Sequence, residues 1–453
     1  MMLIDSVQAK QTGIQDLPAN LLVAVLGHLD SRSLLQKAPT VCKAWKTACK
    51  GALQELDVSR ANTVAKAKGA ATLMLHGSTL SKLSYQVNNR LNETMLCQLI
   101  LYKALVQLTQ LQSLDLLGFD LRGKTQALTS LQRLTSLRLA CCNLTDPGIR
   151  PLSVLVALRQ LSLEGSTSID AGCPHFINLS RALTQLTSLN LASCEEFDNP
   201  RGLSELKALQ ELDLSHLQEI ELEELPAMPS LTKLDFSCNW AVLDKDSTVK
   251  VLFGLQDLRM QGSYFGDEAN RFSRLVSLTR LEATHGEERG DGTRCVLLTA
   301  LGPLQQLCHL VVSSDFRQTE PVSSFSVLGT LQHLTHLELR GPQLPAGALA
   351  AMLYSTSQVP SAWLPRLQSL QVVHEEHGEK DAQQAPGGPI SSNDVALLVR
   401  KCPGLQSLTI SGYEVENGGL LHLSSLRSLT ALTFRAAMPG NVHNDQTIAV
   451  LLM

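Results

Sequence analysis

The chain has 453 residues, 87 of them Leu, with aromatic residues at 4% and charged residues at 18%. That length suits two or three ordinary domains or one extended repeat array, and so large a share of leucine favours the array. With 38 Lys plus Arg against 42 Asp plus Glu the formal net charge is -4, so there is no basic surplus for a phosphate backbone and nucleic acid is not an expected partner.

Residues 1–13, MMLIDSVQAKQTG, read as an N-terminal tail: a basic segment followed by an apolar core is missing, and no uninterrupted run of eighteen apolar residues occurs in the chain. Neither secretion nor membrane insertion is expected. Eleven cysteines run from Cys42 to Cys402 without a C-x-x-C pair. An odd number in that arrangement fits small buried hydrophobes in a reducing compartment, so a cytoplasmic or nuclear protein is expected.

The first folded segment is 14–52. Counting from Pro18, apolar residues fall at Leu21, Leu22, Val25, Leu26 and Leu29, which predicts one helix with a broad apolar stripe. Pro18 suits its first turn, and Asp16 places negative charge at the positive end of the helix dipole. Ser31 to Lys37 predicts a second short helix carrying Leu34 and Leu35, and Thr40 caps a third with Val41, Trp45 and Ala48 or Cys49 along one side. About forty residues cannot enclose a self-sufficient core. The surplus of large apolar side chains therefore implies a cover, either a partner or the first of the repeats that follow.

This segment resembles the F-box, the adaptor-binding module of SCF-type cullin-RING ubiquitin ligases. The matching residues are Leu17 and Pro18, Leu21 and Leu22, Leu26, Leu29, Leu34 and Leu35, then Val41, Cys42, Lys43 and Trp45 in the string VCKAW. Asn20, where the family usually has Glu, and Pro39, just ahead of the third helix, depart from the pattern. The resemblance implies a Skp-family adaptor packed on Leu17, Pro18, Leu21, Leu22, Leu34, Val41 and Trp45. For Trp45 a core position against Leu53 and the first repeat is an equal alternative.

From residue 53 to 453 the pattern LxxLxL recurs. Copies begin at Leu111, Leu134, Leu158, Leu186, Leu209, Leu231, Leu255, Leu278, Leu307, Leu334, Leu367, Leu405 and Leu429, and two looser ones begin at Leu53 and Leu80. The fourth and sixth residues share one face of a short strand and the fifth faces the other way, because side chains alternate with period two. Between strands, stretches such as Thr145 to Leu155 and Asn393 to Cys402 carry a capping residue and apolar positions at helical spacing. Alternating strand and helix makes neighbouring strands parallel, giving an α/β fold. A unit of some 25 residues cannot bury both faces of its wedge, so the units must stack.

These repeats resemble leucine-rich repeats of the cysteine-containing subtype. The clearest copy is LTSLRLACCNLTDPGIRPL from Leu134, with Cys142 at the ninth position, and CPGLQSLTI from Cys402 looks like the helix end and strand of that subtype. The ninth position carries Cys or Asn only at Asn88, Cys142, Cys194 and Asn239. Together the resemblances imply a short all-α F-box followed by a right-handed leucine-rich repeat solenoid, strands on its concave face and helices on its convex face. They also imply a substrate receptor of an SCF ligase, non-catalytic, without metal or cofactor, bound through the adaptor to cullin and RING subunits. A non-degradative repeat scaffold is the alternative.

On a strand-lined face the outward positions are the third, fifth and seventh of each copy. In the middle repeats these include Glu211, Asp213, Lys233, Asp235, Asp257, Arg259, Arg280 and Glu282. Acidic residues flanked by arginines suggest a patch for a target with a mixed or locally basic surface; a merely solvated face is the alternative. Polar inserts at 284–294, 313–326 and 374–394 follow their strands and leave the same end of the sheet, where loops commonly carry recognition. The last has the composition of a flexible segment. Its His374 and His377 match no zinc pattern, and vicinal Cys141 and Cys142 fit repeat positions better than a redox site. The chain ends in IAVLLM without a polar cap, so either a truncated chain or an exposed apolar edge is expected.

Overall fold

The structure, a computed structural model, describes residues 19–26, 33, 41, 48, 54–57, 79–86, 101–435 and 448–449. Within 101–435 it omits 167, 195–196, 198, 218–219, 221–223, 242–251, 266–268, 286–297, 314–321, 342–343, 345–346, 354–363, 375–386, 412 and 416. The chain divides into two compact units, Met1–Glu196 and Phe197–Met453.

The first unit begins with helix α1 (Ala19–Leu26). Its strands are β1 (Glu55–Asp57), β2 (Lys82–Gln86), β3 (Ser113–Leu117), β4 (Ser136–Ala140), β5 (Gln160–Ser162) and β6 (Ser188–Asn190), each parallel to the next. The second unit holds β7 (Glu211–Asp213), β8 (Lys233–Asp235), β9 (Trp240–Ala241), β10 (Asp257–Phe265), β11 (Arg280–His285), β12 (His309–Ser313), β13 (His336–Gly341) and β14 (Ser369–His374). After these come β15 (Gly387–Ile390), β16 (Ser407–Ser411), β17 (Tyr413–Val415), β18 (Ala431–Arg435) and β19 (Ile448–Ala449). Its parallel ladder runs β7, β8, β10, β11, β12, β13, β14, β16, β18, and β19 closes it antiparallel to β18 near the apolar chain end. Two short side ladders, β9 with the end of β10 and β15 with β17, lie beyond the main strands. The strand β15 falls inside the polar insert 374–394, so that insert is partly sheet.

Every LxxLxL copy, Leu53 and Leu80 included, supplies a strand that opens at its third residue. First, fourth and sixth positions point into the core: Leu111, Leu114 and Leu116 are fully buried, as are Leu134, Leu137 and Leu139. Burying one such leucine contributes roughly 1.5–3 kcal/mol, and repetition makes this the main term holding each unit together. Both units have the α/β fold of a leucine-rich repeat solenoid.

The connections are tighter than helical spacing alone predicts. Over Thr125–Ser130, Arg150–Val154, Pro200–Glu205, Ala269–Arg274, Leu298–Leu301 and Val322–Thr330 the chain forms 3-10 turns. Four of these six turns lie in repeats of 23 or 24 residues, where a 3-10 turn covers more length per residue than an α turn. Longer α-helices appear where the repeat is longer, as in Pro174–Ala182 and Ser392–Lys401. The second of these starts with a capping box between Ser391 and Asp394.

Three backbone ladders fix the register between repeats. Threonine at the second position donates its hydroxyl to the second-position carbonyl of the repeat before: Thr135 to Gln112, Thr187 to Arg159, Thr232 to Gln210, Thr279 to Gln256, Thr335 to Cys308 and Thr430 to Gln406, all at 2.9–3.1 Å. The ninth-position ladder is present in part. Cys142 Sγ donates to the Leu116 and Ala140 carbonyls, Cys194 Sγ to Leu163, and Asn239 bridges Leu214 and Leu217; Asn88 lies outside the described residues.

The third ladder is conformational. The eighth position has positive φ in seven repeats, at Gly118, Cys141, Gly165, Ser193, His216, Cys238 and Gly262. This turn aims the amides of Cys141, Gly165, His216 and Cys238 at carbonyls of the following repeat, 2.7–2.9 Å away. Glycine adopts it without steric cost, whereas other residues lose about 1–2 kcal/mol. At Gly165, with φ +67°, an added Cβ would also lie 2.8 Å from Cys141 Sγ; at Gly123, with φ +66°, it would meet nothing. Gly123→Ala is expected to cost about 1 kcal/mol in urea unfolding and Gly165→Ala about 2–3 kcal/mol. Cys141→Ala should recover part of the second loss, because it removes the clash.

Candidate functional site

Two regions bear on function. In the N-terminal segment, Leu22 and Leu26 on α1 are one helical turn apart and therefore share a face. Both are buried within this chain, as is Ala48. Leu21 projects about 100° round the helix from Leu22 and is 49% exposed; Val41 is 56% exposed. The segment thus hides one apolar face and leaves other large apolar side chains in solvent. Leu17, Pro18, Leu34 and Trp45 lie outside the described residues.

The second region is the outward face of the strands in the second unit. Strand register brings third-position residues into one row: Glu211, Lys233, Asp257, Arg280, His309, His336. Fifth-position residues form a parallel row: Asp213, Asp235, Arg259, Glu282, Val311, Glu338. The residues of the expected target patch, Glu211, Asp213, Asp235, Asp257, Arg259, Arg280 and Glu282, occupy these two rows together with Lys233. Charge alternates along the first four members of the third-position row, so cross-strand neighbours attract.

The individual contacts show where these charges are spent. Lys233 Nζ lies 2.5 Å from Glu211 Oε1, an exposed pair worth at most about 1 kcal/mol. Asp213 accepts from the Ser215 amide and hydroxyl at 3.0 and 2.8 Å, and Asp235 from the Ser237 amide at 3.1 Å. These are Asx turns, which shape the chain just after the strand. Asn190 makes the same bond to Ala192 in the first unit. Asp213 and Asp235 therefore hold backbone as well as face outward.

The densest cluster lies further along. Asp257 Oδ1 is 3.5 Å from Arg259 Nε and 3.8 Å from Arg280 Nε. Glu282 accepts from both Arg280 Nε at 2.7 Å and its Nη2, and from Gln261, with His309 Nε2 3.4 Å away. The nearby His309 imidazole, then Arg280, outweighs burial and brings the Glu282 carboxyl down to about 2. His309 and His336 stack with ring centroids 4.3 Å apart and planes within 4°. Burial, and then His309, depresses the His336 pKa below its ordinary value. Glu338 is held by Arg340 at 2.6 Å.

His309, His336, Glu338 and Arg340 were not picked out from the sequence. The signal was there: the outward third, fifth and seventh positions of the copies beginning at Leu307 and Leu334 supply all four. Only the register shows that His309 and His336 continue the row begun by Glu211 and Glu338 the row begun by Asp213. Among the described residues no group of three or more His, Cys, Asp or Glu side chains is arranged to hold a metal, and no helix is long and apolar enough to cross a membrane.

Comparison with known proteins gives two family matches. Residues 14–53 match an F-box-like domain, and residues 130–153 match a leucine-rich repeat. No curated protein matches the chain. Among solved structures, an internalin (InlF) from Listeria monocytogenes is 18% identical, with TM-score 0.47, over 74% of this chain and 83% of that one. A leucine-rich repeat protein from Leptospira interrogans is also 18% identical, with TM-score 0.48, over 81% of this chain and 87% of that one.

Proposed function

From a chain in which an F-box-like domain precedes leucine-rich repeats, we propose the substrate-recognition subunit of an SCF-type cullin-RING ubiquitin ligase. The F-box-like domain docks on a Skp-family adaptor, and through it on cullin and RING subunits, while the repeats hold a target protein. The observation that carries this reading is the pairing of those two modules, with Leu21 and Val41 of the first left exposed. Exposed large apolar side chains within a short helical segment are what an obligate partner would cover. Leu22 and Leu26 hold the segment together from inside, and Leu21 and Val41, with Leu17, Pro18, Leu34 and Trp45, pack on the adaptor.

On this reading the chain is not an enzyme. Its contribution is proximity: a tethered target meets the ubiquitin-charged conjugating enzyme at a raised effective concentration. It acts in the cytoplasm or nucleus, without nucleic acid, membrane or cofactor.

The test is affinity purification of the tagged full-length chain from cell extract. Adaptor, cullin and RING subunits are expected together, and all three are expected to be lost with Leu17→Ala plus Pro18→Ala or with Leu21→Asp plus Val41→Asp. Recovery of the adaptor without cullin or RING subunits would overturn the ligase assignment in favour of a non-degradative scaffold.

A further inference from the structure

We infer that the strand face over β10–β13 binds an anionic segment of a partner protein through an outer layer of guanidinium groups from Arg259, Arg280 and Arg340. The inference deepens the proposed target-binding role and rests on it for the ligand being a protein. Read as a string, this part of the face is balanced: Asp257, Glu282 and Glu338 offset the three arginines. Depth breaks the balance. The three carboxylate side chains are 6–19% exposed, and the three arginine side chains are 35–43% exposed. A partner approaching the face therefore meets cations first and acids only beneath them.

The buried acids also prepare the cations for binding. Arg280 and Arg340 each donate from Nε to a carboxylate beneath them, of Glu282 and Glu338, and Arg259 Nε lies 3.5 Å from Asp257 in an ion pair. A guanidinium carries five N–H donors in a rigid plane, and one Glu282 oxygen engages Arg280 at two of its nitrogens. Anchoring the side chains in advance removes rotamer entropy that binding would otherwise cost. The donor geometry of guanidinium matches carboxylate and phosphate oxygens alike. Four adjacent strands span about 14 Å across their axes, roughly four residues of an extended peptide. His309 and His336 continue the row of Arg280, so the face stays polar across β11, β12 and β13.

Because opposite charges lie close together, attraction is short-ranged and screened by salt. The experiment is fluorescence anisotropy of the full-length chain at low ionic strength with three labelled peptides: oligoglutamate, the same peptide carrying phosphoserines, and oligolysine. Both acidic peptides are expected to bind at least about tenfold more tightly than oligolysine. Tighter binding of the phosphoserine peptide assigns phosphate as the preferred group, and equal binding assigns carboxylate.

Arg259→Gln with Arg340→Gln should weaken acidic-peptide binding by about tenfold or more. Arg280→Met with Glu282→Met removes a pair together, strands no buried charge and should have the same direction of effect; circular dichroism checks that each variant is folded. Oligolysine binding as tightly as the acidic peptides, or folded variants that bind them unchanged, would overturn the inference. Adaptor recovery is read separately: its loss with acidic-peptide selectivity intact counts against the ligase reading alone.

Discussion

Asn239→Ala is expected to lower the stability of the second unit by about 2–4 kcal/mol. Asn239 is almost fully buried, its Oδ1 accepts from the Leu217 amide at 2.6 Å, and its Nδ2 donates to the Leu214 carbonyl at 2.6 Å. Alanine leaves both backbone groups inside the unit without those partners, and each unmet group costs about 1–3 kcal/mol. Hydrogen exchange is the sharpest measurement, because the Leu217 amide should exchange faster by about one to two orders of magnitude. Asn239→Cys provides the control. A thiol donates to a carbonyl as Cys142 does to Leu116, so it replaces the bond to Leu214, but it does not restore the acceptor for Leu217. About half of the loss should return. An unchanged Leu217 exchange rate in Asn239→Ala would show that the ninth-position ladder is not a structural requirement here.

The second large effect follows from Glu282. Its folded-state pKa is lowered from 4.5 to about 2, so its contribution to stability is fully present above about pH 4.5 and is lost as pH falls through 2. After solvent screening the interval corresponds to on the order of 1–2 kcal/mol. Other carboxylates titrate in the same range, and the difference between the wild-type chain and Glu282→Gln isolates this one. The variant should be less stable by roughly that amount at pH 7, and the gap should close as the pH falls toward 2. Urea unfolding at pH 7, 4.5 and 3 measures it. A gap that stays constant with pH would mean that the Arg280–Glu282–His309 contacts carry no net electrostatic stabilisation.

Much of the architecture was legible from spacing. The period-two alternation in LxxLxL located the main strands and their inward face, because a parallel ladder tolerates no slip without turning leucines into solvent. The register rows on the outward face were legible for the same reason, though they were followed only as far as Glu282. Two features were hidden. The connecting segments read as helices, yet most are 3-10 turns, since apolar periodicity over five or six residues does not separate the two. The left-handed eighth position is glycine in three repeats but cysteine, serine or histidine in four, so composition alone does not mark it.

The sequence by itself determined the repeat, its strand positions, the inward leucines and the F-box-like segment, because each depends on side-chain spacing along one stretch of chain. Tertiary structure alone decided how deep each charge lies and which partner it meets. Asp213 and Asp235 turned out to bind backbone, Glu282 to sit beneath Arg280 and His309, and Leu22 to be covered while Leu21 was not. Depth and pairing depend on residues brought close from neighbouring repeats, and a charged side chain's length and rotamer are set by those contacts rather than by its position in the pattern.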